Sequence, residues 1–127
     1  MNNLVYLLLI LLLACNKSEN EKRSNNSNEW NVKYELTSTN PNAKVSFMYM
    51  DKSGNFLLLG GTDTSTFISL PWSYEAKYSK DPGMSNARYL RLTPMLGTNV
   101  SIYTSKIYVD GKLVNQAANN EVMYTLQ

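Results

Sequence analysis

From Trp30 onward, apolar side chains alternate with polar ones, and few backbone conformations accommodate such a pattern. Val32, Tyr34 and Leu36 are separated by polar residues, and Trp72 to Tyr78 repeats the spacing. A period of two places successive side chains on opposite faces of a β-strand, so it predicts strands with one covered face. No window of this region has the apolar spacing of an amphipathic helix. The region is therefore predicted to be all-β.

Turn-forming residues divide this region into short strands. Asp110-Gly111 is a strong signal for a two-residue hairpin, and a change of alternation near Thr104, within Val100 to Val109, predicts a β-bulge. The predicted fold is a two-layer antiparallel β-sandwich of about seven to nine strands, with a small β-barrel as the alternative. The other turn signals are Asn40-Pro41-Asn42, Asp51 to Asn55 and Asp81-Pro82-Gly83.

One uninterrupted apolar run lies within the predicted domain. Phe56 to Leu59 contains no polar residue and is followed by Gly60-Gly61. Short apolar runs bounded by turn residues are typical of strands that are covered on both faces. We therefore predict a buried strand here, with an exposed apolar patch as the alternative.

The N-terminal segment has a different character. An unbroken apolar run from Leu4 to Leu13 precedes Cys15, the single cysteine of the chain. As a helix this run extends roughly 15 Å, about half the thickness of a bilayer core, so it fits the apolar part of a secretory signal. Leu12, Ala14 and Cys15 match the lipobox of bacterial lipoproteins, whose cysteine sulfur carries a diacylglycerol. The alternative is a buried N-terminal strand or helix.

The residues after Cys15 favour the lipoprotein interpretation. Residues 16–29 contain asparagine, serine and charged side chains but no apolar one, and such a segment cannot bury enough surface to become ordered. We predict a signal peptide over 1–14, a lipidated Cys15 with a flexible polar tether over 15–29, and one domain over 30–127. The residue after Cys15 is Asn16, whereas lipoproteins that are retained at the inner membrane commonly have an aspartate at this position. This favours a lipid-anchored location at the outer membrane of a Gram-negative cell envelope.

The composition argues against several classes of function. The formal net charge is only +2, too small and too evenly spread for a nucleic-acid partner. The chain has no histidine, the side chain best suited to proton transfer near neutral pH, and the cysteine is assigned to the anchor. We therefore expect no enzymatic activity and no cofactor.

The acidic residues support that expectation. Most fall in turns or at outward strand positions, and their spacing suggests no carboxylate pair of the kind that a glycosidase needs. Asp51 and Asp63 could be ligands of a calcium ion. The regular spacing of oxygen-bearing side chains in a calcium-binding loop is missing, however, so we predict no metal site. The acidic residues of the domain are Glu35, Asp51, Asp63, Glu75, Asp81, Asp110 and Glu121.

Aromatic side chains are the candidate binding residues. Trp72 follows Pro71 at the start of a strand, which favours a core position, with a surface platform for a sugar or lipid as the alternative. Outward tyrosines suit binding because they offer contact area at little cost in conformational entropy. The candidates are Trp72, Tyr89, Tyr103 and Tyr108, whereas the tyrosines on predicted core faces are Tyr34, Tyr49, Tyr74 and Tyr78.

Four segments carry a family resemblance. Leu70-Pro71-Trp72-Ser73 and Ile107 to Val114 resemble the extracytoplasmic domain of the MmpS family, and Val32 to Thr37 and Ala43 to Asp51 fit it in order and spacing. The resemblance implies an immunoglobulin-like β-sandwich and a role as accessory partner of a membrane transporter that exports lipids or siderophores.

Two features depart from that family. The chain has a lipobox where those proteins have a transmembrane helix, and Ser105 stands where one cysteine of their pair would be. We therefore expect a membrane-anchored binding or accessory protein with a transporter or another envelope protein as partner. The alternative is a small-ligand or glycan-binding β-sandwich.

Overall fold

The computed structural model of the chain describes residues 28–81, 83, 88–99 and 102–127. The predicted signal peptide, Cys15 and nearly all of the predicted tether lie outside the described residues. Within the described part, nine strands are present, together with a 3₁₀ turn at Thr64–Thr66. The strands are β1 (Glu29–Ser38), β2 (Lys44–Met50), β3 (Phe56–Leu59), β4 (Ile68–Ser69), β5 (Trp72–Ser79), β6 (Tyr89–Thr98), β7 (Tyr103–Val109), β8 (Lys112–Ala118) and β9 (Val122–Thr125).

The strands form two antiparallel sheets. The first sheet has the order β5-β1-β7-β8, and the second has the order β3-β2-β6-β9, with β4 paired to β2. The sheets are not closed into a barrel. The predicted β-sandwich is therefore confirmed, and the small-barrel alternative is wrong. Among the described residues, no helix is long and apolar enough to span a membrane.

The core lies between the two sheets and follows the predicted alternation. Val32, Tyr34 and Leu36 of β1 are fully buried, and Phe47 of β2 is buried opposite them. Tyrosines on the predicted core faces are buried or packed against the core, as expected. The buried residues that complete this core are Trp30, Ala43, Val45, Tyr49, Leu70, Tyr78, Leu90, Leu92, Ile107, Val122 and Leu126.

The turns confirm one prediction and correct another. Asp110 and Gly111 join β7 to β8 with φ angles of +50° and +77°, as a two-residue hairpin requires. The bulge predicted near Thr104 is wrong, because β7 pairs with β1 without a break from Tyr103 to Val109. The alternation changes near Thr104 because β7 begins there. The register shift lies farther along, where Val114 of β8 is the extra residue.

The prediction of a buried strand at Phe56–Leu59 is wrong. β3 forms at the predicted residues, but among the described strands it is the outer strand of the second sheet and pairs only with β2. Phe56 and Leu58 are 49% and 50% exposed, and Leu57 is exposed as well. Only Leu59 reaches the core. An apolar run does not reveal whether its strand has a neighbour on both sides. Here the described part of the chain leaves one edge and one face of β3 uncovered.

Candidate functional site

The four candidate aromatic residues do not come together. Trp72 lies between the sheets, with ring centroids 4.4 Å from Phe47 and 5.3 Å from Tyr49. Tyr103 is half-buried against the core, and burial raises the pKa of its hydroxyl. Tyr89 is on the outer face of the second sheet, whereas Tyr108 is on the outer face of the first. The structure therefore offers two separate surfaces rather than one aromatic site.

The outer face of the second sheet is largely apolar. Leu58 pairs with Met48 and Met48 with Thr93, so these residues share the outward side of three strands. Tyr89, 38% exposed, lies farther along this side of the sheet. We call this surface the apolar face and define it by its most exposed members, Phe56, Leu58, Tyr89, Leu96 and Met123.

One compensated ion pair lies among these apolar side chains. Arg91 donates to the Glu121 carboxylate from Nη2 at 2.7 Å and from Nε at 2.9 Å, and Thr93 Oγ1 donates to the same oxygen at 3.2 Å. The hydrogen bond from Arg91 lowers the pKa of Glu121. The Arg91 guanidinium also lies 5.8 Å from the centroid of the Phe56 ring. The pair therefore adds directed hydrogen bonds without adding net charge.

Sequence reasoning found parts of the apolar face, Tyr89 as a candidate and an exposed patch at Phe56–Leu59 as an alternative, but did not join them into one site. In the second half of β2, outward Met48 and Met50 alternate with inward Phe47 and Tyr49, so both sides of this part of the strand are apolar. Period-two analysis assigns a covered side only where the other side is polar. The signal that could have found the face was this two-sided apolar pattern next to the run Phe56–Leu59.

The outer face of the first sheet is polar and charged. Glu35 accepts hydrogen bonds from Lys33 Nζ at 2.9 Å and from Lys106 Nζ at 3.3 Å. The bond from Lys33 is the main cause that lowers the pKa of Glu35, and the same bond raises the pKa of Lys33. Across the strands, Lys33 is paired with Glu75 on one side and with Tyr108 on the other. We call this surface the polar face.

A small cavity opens on the polar face beside Tyr108. Its volume is about 280 Å³, and it is lined by Asn31, Lys33, Glu75, Tyr108 and Gly111. Lys33 Nζ lies 5.4 Å from the centroid of the Tyr108 ring. The hairpin end is fixed to β1, because the Asn31 N–H donates to Asp110 Oδ1 at 2.9 Å and the Asp110 N–H donates to the Asn31 carbonyl at 2.8 Å.

The turn carboxylates have structural roles. Asp51 accepts hydrogen bonds from the backbone N–H groups of Ser53 and Asn55, and Asp63 accepts one from Ser65. These bonds close the β2–β3 hairpin and cap the 3₁₀ turn, and the bond from Ser65 lowers the pKa of Asp63. Within the described ranges, no three acidic, histidine or cysteine residues are grouped so that they could hold a metal ion.

No protein-family model matches the chain, and a comparison with curated proteins gives no significant match. The resemblance to the MmpS family therefore stays a prediction. Its two most specific segments both lie on the first sheet, where Leu70 to Ser73 leads into β5 and Ile107 to Val114 forms the β7–β8 hairpin.

Proposed function

We propose that this chain is a lipid-anchored binding protein of the bacterial cell envelope that acts as an accessory subunit of a membrane complex. Its contact surface is the apolar face. The observation that carries this proposal is the half-exposure of Phe56 and Leu58 on an open sheet face that also presents Tyr89 and Met123. Exposed apolar side chains gathered on one face mark interaction sites in soluble domains.

The composition of the apolar face favours a protein partner. Aromatic residues, methionine and arginine are enriched at protein interfaces, whereas lysine and glutamate are depleted. The face presents Phe56, Tyr89 and Met123, and its glutamate, Glu121, is neutralised by Arg91. The expected partner surface is therefore apolar and carries little net charge. A transporter or another envelope protein could provide it.

The anchor is tested first. The proposal assigns the membrane attachment to acyl chains on Cys15, since two or more chains hold a protein stably at a bilayer. Cys15→Ser is expected to move the protein from the membrane fraction to the soluble fraction, as measured by immunoblotting after cell fractionation. Ser27→Cys in the Cys15→Ser background is a control, because it restores a thiol outside the lipobox and should remain soluble. Membrane retention of Cys15→Ser would contradict the anchor.

The contact surface is tested by site-specific crosslinking in cells. A photoreactive amino acid at Leu58 on the apolar face is expected to capture one envelope protein reproducibly. The matched control is Leu113, which is 46% exposed but lies opposite Tyr108 on the polar face. Capture at both positions, or at Leu113 alone, would contradict the apolar face as the contact surface. So would a product at Leu58 that survives Phe56→Ser and Tyr89→Ser in the same chain.

A further inference from the structure

We infer that the cavity beside Tyr108 is a second binding site, independent of the apolar face, and that it takes one ring of a neutral sugar. The cavity lies on the opposite side of the sandwich from Phe56 and Leu58. Its volume of about 280 Å³ lies just below the range of roughly 300–1,000 Å³ for ligand pockets. It therefore suits a single hydroxyl-rich ring rather than a long chain or a lipid tail.

The walls of the cavity offer the groups that hydroxyls need. Glu75 can only accept hydrogen bonds when ionised, Lys33 can only donate them, and the Asn31 side chain can do both. A sugar hydroxyl donates and accepts, so neighbouring hydroxyls can satisfy all three residues at once. The Tyr108 ring adds an apolar surface against which the C–H side of a sugar ring can pack.

The charge pattern argues for a neutral ligand. The Lys33 ammonium is already bound by Glu35 at 2.9 Å, so it has little unmet demand for an anion. An acidic ligand would also meet Glu75, which is paired in register with Lys33. A cationic ligand would meet Lys33 in the same space. Either charge on a ligand would therefore be repelled by one of these two residues, whereas uncharged hydroxyls would not be.

The walls are held in place before a ligand arrives. Lys33 is fixed by Glu35, which also binds Lys106 at 3.3 Å. The Asp110 carboxylate and backbone tie the hairpin to Asn31. Gly111 has a φ of +77°, and a Cβ atom there would meet no atom within 4 Å, so the rim at this position is open. A site whose walls are already fixed loses less conformational freedom on binding.

The experiment is a titration of the ¹⁵N-labelled full chain in mild detergent with glucose, galactose, mannose and N-acetylglucosamine, followed by NMR. At least one sugar is expected to give saturable shifts at Asn31, Lys33 and Gly111. Tyr108→Ala should weaken that binding roughly tenfold, and Tyr108→Phe about threefold if its hydroxyl contacts the ligand. Tyr89→Ala is the matched control on the apolar face and should leave the affinity unchanged.

Three outcomes would overturn the inference. The first is the absence of saturable shifts with all four sugars, and the second is binding that Tyr108→Ala leaves intact. The third is tighter binding of glucuronate or glucosamine than of the corresponding neutral sugars, since this would mean that a charge is recognised. None of these outcomes bears on the crosslinking at Leu58, so the two proposals fail separately.

Discussion

The two outer faces of this sandwich differ in polarity, although both are formed by antiparallel sheets. On the polar face, charged side chains compensate one another, since Glu35 pairs with Lys33 on the same strand and with Lys106 on the neighbouring strand. On the apolar face, Phe56 and Leu58 stand half-exposed beside one ion pair. Water solvates the first arrangement well, whereas the second leaves apolar surface uncovered.

The two faces differ in how fully the described residues cover them. The polar face resembles the solvated side of an ordinary antiparallel sheet. The apolar face is also bordered by an edge strand, β3, that carries neither a charge nor a proline, although natural proteins commonly use both to protect exposed edges. An unprotected edge next to uncovered apolar side chains is consistent with a surface that is covered in use.

The largest expected effect is a difference in stability between variants on the inner and outer sides of the second sheet. Leu92 and Leu58 are both leucines of that sheet, but Leu92 is fully buried and Leu58 is half-exposed. Leu92→Ala is expected to lower the free energy of unfolding by about 2–5 kcal/mol, because it leaves a cavity in the core. Leu58→Ala is expected to lower it by less than about 1 kcal/mol. Urea unfolding followed by tryptophan fluorescence measures both.

Equal losses of unfolding free energy in Leu92→Ala and Leu58→Ala would contradict the distinction between the inner and outer sides of the sheet. A large loss at Leu58 would mean that the residue is covered within the chain itself, so that the apolar face would not be an open surface. The wild-type protein should be compared with and without detergent, since detergent bound to the apolar face could raise the apparent stability and mask a small difference.

Much of this fold could be predicted from the sequence, because the information is local. Alternation within β1 and β5 fixes which side chains point inward, and Asp110-Gly111 fixes a hairpin by its preference for positive φ. The exposure of β3 could not be predicted, because it depends on which strands the chain places next to Phe56–Leu59. The cavity beside Tyr108 combines residues from β1, β5 and the β7–β8 turn, and the pairing of these strands is a property of the tertiary fold.

The next prediction concerns a buried hydrogen bond between the two sheets. The Tyr78 hydroxyl of the first sheet donates to the Met50 carbonyl of the second at 2.8 Å, in a buried position. Tyr78→Phe leaves that carbonyl without this donor, so we expect the free energy of unfolding to fall by about 1–2 kcal/mol. Tyr89→Phe is the control, because its hydroxyl donates to Met123 at an exposed site, and it should change stability by less than about 0.5 kcal/mol. If the two variants lose equal stability, the hydroxyl between the sheets contributes no more than one at the surface.

The smallest expected effect tests the compensation of charge on the polar face. The hydrogen bond from Lys33 holds the pKa of Glu35 below its ordinary value of 4.5. Because the pKa is lower in the folded state, the stability that Glu35 contributes is present above pH 4.5 and is lost as the pH falls through the folded-state pKa. Glu35→Gln should therefore reduce stability by less than about 1 kcal/mol at pH 7, and the difference from wild type should vanish in stronger acid. Thermal unfolding from pH 7 to pH 2 measures it, with Glu121→Gln as the corresponding variant of the apolar face. A deficit of Glu35→Gln that is unchanged at pH 2 would show that the loss comes from packing rather than charge, and the polar face would then not be held by its ion pairs.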